Sequence, residues 1–124
     1  MIVVHTSAIL TLLLREPDHK VVAEKLCVAG DAVISPVGAM EAMMALTRRF
    51  AGPSPILGAF LRQSRIGQRP IDSTQAYWAR HGLLTYPRVC LSLGDCFAYG
   101  AAKALDAPLL FTSGDFAKTD LRAA

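Results

Sequence analysis

The sequence has few of the residues that cross-link or anchor a chain. Its three cysteines show no Cys-x-x-Cys spacing, so neither a disulfide framework nor a cysteine zinc site is indicated, and we expect Cys27, Cys90 and Cys96 to be small core residues. No apolar run approaches the roughly 20 residues that a membrane helix needs. The N-terminus also lacks the basic start and cleavage site of a signal peptide. We therefore expect a cytoplasmic protein with no membrane contact.

Charge is scarce as well. Charged residues make up 19% of the chain and hydrophobic residues 52%, a balance that argues against intrinsic disorder. The 124 residues are enough for one domain and too few for two independent ones, so we expect a single domain over residues 1–124. A composition this apolar also predicts surface that is covered by a partner or by a second copy.

Acids are nearly absent from the middle of the chain. Between Arg48 and Arg88 there are seven arginines and a single acid, Asp72. Two interpretations stay open at this point. The arginines can simply lie on solvated helix faces. Alternatively, they can form a surface that binds the phosphates of a nucleic acid, for which the planar guanidinium is well suited.

Short apolar runs alternate along the chain with segments of helical character. The predicted strands are residues 1–4, 31–35, 68–71 and 108–111, and the third is an edge strand because Pro70 cannot donate to a ladder. A break at residues 52–55 precedes the fourth of six predicted helices, which span 7–14, 17–29, 37–50, 56–66, 73–84 and 92–105. This alternation predicts an α/β layer fold with a mainly parallel sheet.

Polar residues follow two of the apolar strands. His5 ends the first strand, with Thr6 or Ser7 as the expected cap of the next helix, and Asp115 follows the last strand after a short polar loop. In open α/β sheets the chemistry lies beyond the carboxyl ends of such strands. His5 and Asp115 are therefore candidates for a shared site.

Three carboxylates lie where the structural pattern does not require them. Glu41 interrupts a methionine-rich helix, where it is either solvent-facing or a ligand. Asp95 follows Ser92 by three residues, which fits a capping box as well as a site residue, and Asp115 fits a turn or a helix cap equally well. If these acids converge, a cation must offset their repulsion, and oxygen ligands favour Mg²⁺ or Mn²⁺. Metal-assisted attack on a phosphodiester is the matching chemistry.

Four blocks of the sequence carry a resemblance to a known family. They are residues 1–14 (MIVVHTSAILTLLL), the helix of Glu41, residues 94–105 (GDCFAYGAAKAL) and residues 108–121 (PLLFTSGDFAKTDL). Together these blocks resemble the PIN-domain ribonucleases of the VapC toxin type, and the resemblance spans essentially the whole chain. It implies a PIN-like three-layer α/β fold, with a mainly parallel sheet of four or five strands flanked by helices.

The resemblance also implies an activity, a cofactor and partners. The chain would be the toxin of a toxin–antitoxin pair, a homodimer held inactive by a cognate VapB-type antitoxin, and would cleave structured RNA such as tRNA or rRNA with Mg²⁺ or Mn²⁺. The acids of the family carry over to Glu41, Asp95 and Asp115. Further candidates are the polar neighbours Thr6 and Thr119, the weaker acid Asp120, and the RNA-binding residues Arg48, Arg49 and Arg80.

His5 departs from the family pattern. The family has a metal-binding aspartate where the first strand closes, and an imidazole there removes one negative charge and offers nitrogen to a hard ion. Three readings stay open: an introduced inactivating change, a natural variant with altered catalysis, or a ligand that favours Mn²⁺. We expect Mg²⁺-dependent activity to be weakened. A lesser departure is Ser92, where the family often has asparagine.

Two other classes of function remain as alternatives. The chain can be a catalytically inactive PIN-fold module that binds an antitoxin or RNA without cutting it. It can also be a small receiver-like domain, because acids at strand ends bind Mg²⁺ there too, although His5 takes the position of the expected phosphoacceptor.

Overall fold

The fold is built on a parallel sheet in which the first strand of the chain lies inside. The computed structural model describes residues 1–50 and 55–124, and in those residues the sheet has four strands in the order β3-β2-β1-β4. Every pairing is parallel. The strands are β1 (Ile2–Val4), β2 (Ala32–Ile34), β3 (Ile66–Gln68) and β4 (Leu109–Leu110).

The strand β1 is central because its side chains are apolar in both directions. Ile2 and Val4 join one buried cluster and Val3 joins another on the opposite face of the sheet. Fully burying an aliphatic side chain stabilises a fold by about 1.5–3 kcal/mol, so a strand of three such residues gains most when helices cover both faces. The predicted α/β class, with layers of helices around a parallel sheet, is confirmed.

Six α-helices and one 3₁₀ helix cover the sheet in the part of the chain that the structure describes. They are α1 (Thr6–Leu13), α2 (His19–Ala29), α3 (Pro36–Arg49), α4 (Ile56–Gln63), α5 (Ser73–Thr85), α6 (Leu93–Ala104) and the 3₁₀ helix (Asp115–Lys118). Among these helices none is both long and apolar enough to serve as a membrane span. Residues of α1 to α4 pack in one buried cluster, and residues of α5 and α6 pack in the other.

Several local predictions were wrong in detail. The cap of α1 is His5, because its imidazole accepts the Ser7 amide proton, a role that we gave to Thr6 or Ser7. The edge strand lies at Ile66–Gln68, before Pro70, and α4 ends at Gln63, three residues earlier than predicted. Cys27 and Cys90 are exposed, so only Cys96 is a core residue. Most of the break predicted at 52–55 lies outside the described residues.

Candidate functional site

Glu41 and the N-terminus of α6 meet directly. The Gly94 amide donates to Glu41 Oε1 at 3.1 Å, and the Ser92 hydroxyl approaches the same oxygen at 3.5 Å. Glycine at position 94 makes this approach possible, because a Cβ there would overlap the Glu41 carboxylate. Glu41 therefore occupies the positive end of a helix, where backbone N–H groups stabilise negative charge.

Asp95 belongs to the same helix terminus and forms a capping box. The Ser92 amide donates to Asp95 Oδ2 at 3.0 Å, and the Asp95 amide donates to Ser92 Oγ at 3.1 Å. The box that the spacing of these two residues predicts is confirmed. It occupies one carboxylate oxygen and leaves Oδ1 for a second partner.

That second partner is His5. Its Nε2 lies 2.8 Å from Asp95 Oδ1, and its Nδ1 accepts the Ser7 amide proton at 3.1 Å. Because a backbone amide can only donate, Nδ1 has to be the unprotonated nitrogen, and the ring proton sits on Nε2. The imidazole thus donates to Asp95 across the gap between β1 and α6.

The environment of this pair lowers the pKa of the Asp95 carboxyl. Burial raises the pKa of the carboxyl, but hydrogen bonds from His5 and Ser92 outweigh it, so the pKa of Asp95 lies below its usual range. The His5 side chain is 7% exposed and that of Asp95 13% exposed. A bond this well shielded from water is stronger than the same bond on the surface.

Ser7 is a site residue that the sequence indicated only as a possible helix cap. Its Oγ lies 2.9 Å from His5 Nδ1 and accepts amide protons from Thr112 at 3.0 Å and Ser113 at 3.4 Å. Ser7 therefore joins the carboxyl end of β1 to the loop after β4. Its place directly after a polar residue at a strand end was the available signal.

Two more of the predicted site residues flank the pair without joining it. Thr6 donates its hydroxyl proton to the Gly38 carbonyl at 2.8 Å, which ties the start of α1 to α3. Asp115 is half-buried and begins the 3₁₀ helix. The next residue, Phe116, packs edge-on against the His5 ring with centroids 4.8 Å apart, so this segment closes one side of the site.

Asp120 and Thr119 lie in other networks. Asp120 accepts the Tyr99 hydroxyl proton at 2.9 Å and pairs with Lys103 at 2.8 Å, while its amide donates to Tyr86 Oη at 3.0 Å. Thr119 donates its hydroxyl proton to the Phe116 carbonyl at 2.7 Å. The hydrogen bond from Lys103 is the main reason why the pKa of Asp120 lies below its usual range. Asp120 thus has a structural partner set, separate from Glu41 and Asp95.

The donor set does not fit a divalent metal as the side chains are arranged. Within residues 1–50 and 55–124, no group of three or more His, Cys, Asp or Glu side chains is placed to hold an ion. Both nitrogens of His5 are engaged, one as an acceptor and one as a donor. The predicted set of Glu41, Asp95, Asp115 and His5 is therefore not grouped as a metal site in the described residues, and His5 as a ligand stays a prediction.

A cavity of about 300 Å³ opens beside Glu41. Its walls are Thr6, Glu41, Met44, Ala45 and Arg48, so an acid lines it together with an apolar side chain and a base from the same face of α3. Met44 is 45% exposed. Of the three predicted RNA-binding arginines, Arg48 lines this cavity, whereas Arg49 and Arg80 are exposed elsewhere on α3 and α5.

Sequence comparison finds several similar proteins. A family profile described as PIN domain matches residues 2–121. A VapC ribonuclease of Mycobacterium bovis is 34% identical and aligns with 96% of this chain and 95% of its own length. A ribonuclease VapC of Mycolicibacterium smegmatis is 33% identical over 98% of both chains, and a VapC ribonuclease of Rhizobium meliloti is 32% identical over 93% of this chain and 95% of its own length.

Structure comparison gives the same architecture. The crystal structure of VapC20 from Mycobacterium tuberculosis, a toxin described as cleaving the sarcin-ricin loop, superposes with a TM-score of 0.79. The match covers 100% of this chain and 98% of that one at 17% sequence identity. At that identity the likeness concerns the fold alone, and the predicted PIN-like fold is confirmed.

Proposed function

Because the chain belongs to the PIN-domain family of VapC ribonucleases, we propose that it is the toxin of a toxin–antitoxin pair and acts as an endoribonuclease on structured RNA such as tRNA or rRNA. The observation that carries the proposal is the meeting of Glu41 and Asp95 at the N-terminus of α6. Two acids from distant parts of the sequence share one helix end beside a strand-end loop. This is where an open α/β fold puts its chemistry. Family membership also removes the receiver-like alternative.

The two acids are suited to different tasks. Glu41 uses Oε1 for the Gly94 amide, and in the described residues no hydrogen bond reaches Oε2. That oxygen is therefore available to orient, or accept a proton from, a hydroxyl that attacks a phosphodiester. Asp95 has both oxygens engaged and is fixed by them. We propose Glu41 and Asp95 as the central acids, with Asp115 and Thr6 as their neighbours.

A divalent metal at this site would be held by carboxylates. The sequence resemblance implies Mg²⁺ or Mn²⁺, with Glu41, Asp95 and Asp115 as carboxylate ligands. The side chains as they stand do not form a group of three ligands in the described part of the chain. We propose that metal-dependent cleavage in this chain is weakened at His5, because the imidazole already donates to Asp95.

RNA contact is proposed for Arg48, Arg49 and Arg80. The cavity beside Glu41 supports the first of them, because a nucleotide can rest its sugar or base on Met44 while its phosphate meets the Arg48 guanidinium. Within the described residues, none of the ion pairs involves Arg48, so its charge is available for a phosphate. Arg49 and Arg80 are exposed and would add to attraction without reaching the acids.

The partners of the chain are also proposals. A VapB-type antitoxin and a second copy of the chain are the two proteins that the family implies. Large apolar side chains that remain exposed support a covered surface, and they include Val21, Val28, Met40, Leu84 and Leu93. We further propose that residues 1–124 form one domain, since one sheet joins both ends of the described chain, and that it acts in the cytoplasm.

A second function is favoured by the bond between His5 and Asp95. A carboxylate that is already hydrogen-bonded to an imidazole is less available to a cation or to substrate. The same fold with this pair intact could bind an antitoxin or RNA without cutting it. The two functions differ in one measurable property, cleavage of RNA.

The test compares RNA cleavage by the chain as given and by His5→Asp, with Mg²⁺ and with Mn²⁺. Loss of one preorganised electrostatic group costs roughly a hundredfold to a thousandfold in rate, so His5→Asp should be faster by about that factor. Glu41→Gln in the same background should abolish the gain. Equal and robust Mg²⁺ activity in both chains would show that position 5 does not limit catalysis, and no cleavage by either would favour the binding function.

A further inference from the structure

His5 has no free lone pair to give to a metal ion. Its Nδ1 lone pair accepts the Ser7 amide proton at 3.1 Å, and its Nε2 carries the proton that faces Asp95 Oδ1 at 2.8 Å. An imidazole coordinates a metal through an unprotonated nitrogen. Coordination here would require the ring to lose one of these bonds.

The ring is also held from its other sides. Ser7 Oγ lies 2.9 Å from Nδ1, and the Phe116 ring packs edge-on at 4.8 Å. His5 as a whole is only 6% exposed. A rotation that freed Nε2 would leave a buried donor or acceptor without a partner, which is costly in an interior.

Each carboxylate at this site already faces an N–H group of the protein. Asp95 Oδ1 faces the His5 ring, and Glu41 Oε1 faces the Gly94 amide. Two acids held close together repel one another unless positive charge or donors lie between them. The chain supplies those donors itself, whereas an aspartate at position 5 would add a third negative charge and remove the donor that faces Asp95.

We infer that the His5 imidazole takes the structural place of a divalent cation at Asp95 Oδ1, while the Gly94 amide and the Ser92 hydroxyl hold Glu41 at the same helix end. The inference rests on the proposed function, because that assignment makes these two acids the working residues. The fold then needs neither Mg²⁺ nor Mn²⁺ to keep its site intact. Replacing His5 by aspartate restores the demand for a cation.

Thermal unfolding measured in EDTA, in Mg²⁺ and in Mn²⁺ tests the inference. The chain as given should unfold at the same temperature in all three, within about 1 °C, because a ligand raises stability only if it binds the folded state. His5→Asp should unfold several degrees lower in EDTA and recover in Mn²⁺. Asp120→Asn is the matched control, because it removes a carboxylate away from the site and should leave the metal response unchanged in either background.

Direct Mn²⁺ binding, measured by calorimetry on the full chain, guards against a variant that fails to fold. Saturable one-site binding to the chain as given, with an affinity equal to that of His5→Asp, would overturn the inference. So would nitrogen NMR spectra that place the His5 ring proton on Nδ1. Absence of saturable binding to the chain as given supports it without any variant.

The outcomes separate this inference from the proposed function. If the chain as given ignores metals while His5→Asp binds Mn²⁺ without cutting RNA, the inference stands and the ribonuclease assignment fails. If the chain as given binds Mn²⁺ and cleaves RNA, the ribonuclease assignment stands and the inference fails.

Discussion

Two polar clusters lie toward opposite ends of α6, and each is built around an aspartate with a lowered pKa. The acid cluster consists of His5, Glu41, Ser92 and Asp95, and the tyrosine cluster consists of Tyr86, Tyr99, Lys103 and Asp120. In the acid cluster an imidazole donates to Asp95, whereas in the tyrosine cluster a lysine and a phenol donate to Asp120. Both clusters join the helix to distant parts of the chain.

The two clusters differ in burial and in whether an acid lines a cavity. The tyrosine cluster surrounds Asp120 with a hydroxyl and an ammonium group, and its carboxylate is nevertheless 47% exposed. The acid cluster is more buried at Asp95, and its Glu41 lines an open cavity together with Arg48. Exposed polar groups that are all hydrogen-bonded, as at Asp120, indicate a structural role. A buried pair next to an acid that lines a cavity, as at Asp95 and Glu41, indicates a functional site.

Replacement of Gly94 by alanine should give the largest effect on function. The new Cβ would displace the Glu41 carboxylate from the helix end, so RNA cleavage by a His5→Asp chain should fall about a hundredfold or more. The far end of Glu41 can swing away, so the free energy of unfolding should change by less than about 1 kcal/mol. Cleavage rates and urea unfolding of the same samples measure both effects, and unchanged cleavage would separate Glu41 from catalysis.

Replacement of Gly82 by alanine is the matching change at the tyrosine cluster. Its Cβ would lie 2.6 Å from the ring of Tyr99, which is completely buried and held by Asp120. Overpacking of this kind costs about 1–3 kcal/mol, so the variant should unfold at lower urea with its folded fraction still able to bind RNA. A stability loss smaller than that of Gly94→Ala would contradict the contrast between the clusters.

Arginine substitutions test the same contrast through RNA affinity. Arg48→Ala should weaken binding of a short single-stranded RNA roughly tenfold, because it removes a charge next to the acid cluster. Arg49→Ala removes the same charge from the next residue of α3 and serves as the control with a smaller loss. Arg80→Ala on α5 reports whether RNA also covers that helix. Equal losses for all three, in fluorescence anisotropy at several salt concentrations, would indicate attraction without a defined pocket.

Replacement of Asp120 by asparagine should have the smallest effect, on the free energy of unfolding at acid pH. Because the folded pKa values of Asp95 and Asp120 are lowered, both carboxylates stabilise the fold above their unfolded pKa of about 3.9. That contribution is lost as the pH falls through the folded values. Asp120→Asn should make the loss below pH 4 shallower by less than about 1 kcal/mol, since this pair is partly exposed. An unchanged acid limb would assign the effect to other groups.

Local patterns in the sequence predicted much of the fold. The all-apolar β1 and the Ser92 capping box are short-range features whose physics is contained in neighbouring residues, and the structure has both. The edge strand was placed too late because Pro70 was taken to lie inside it. Pro70 lies after β3, where a residue without an N–H group removes no hydrogen bond from the sheet.

The site itself depends on contacts that local patterns do not contain. The pairing of His5 with Asp95 joins residues 90 positions apart, and that of Glu41 with Gly94 joins residues 53 positions apart. The sequence suggested that Glu41, Asp95 and Asp115 converge, but it could not show that the imidazole would donate to Asp95. The tautomer of His5 follows from the hydrogen bond that the Ser7 amide donates to Nδ1.

The pairing of β1 with β4 has a consequence for synthesis on the ribosome. Val3 and Val4 of β1 pair with Leu109 and Leu110 of β4. Because β1 is synthesised well before β4, the sheet is complete only after β4 has been made. Contacts so distant along the chain form late in folding, and nascent chains emerge from the N-terminus onward. A nascent chain that lacks β4 therefore has an incomplete sheet, and Ser7 is without the Thr112 and Ser113 amides that tie it to the loop after β4.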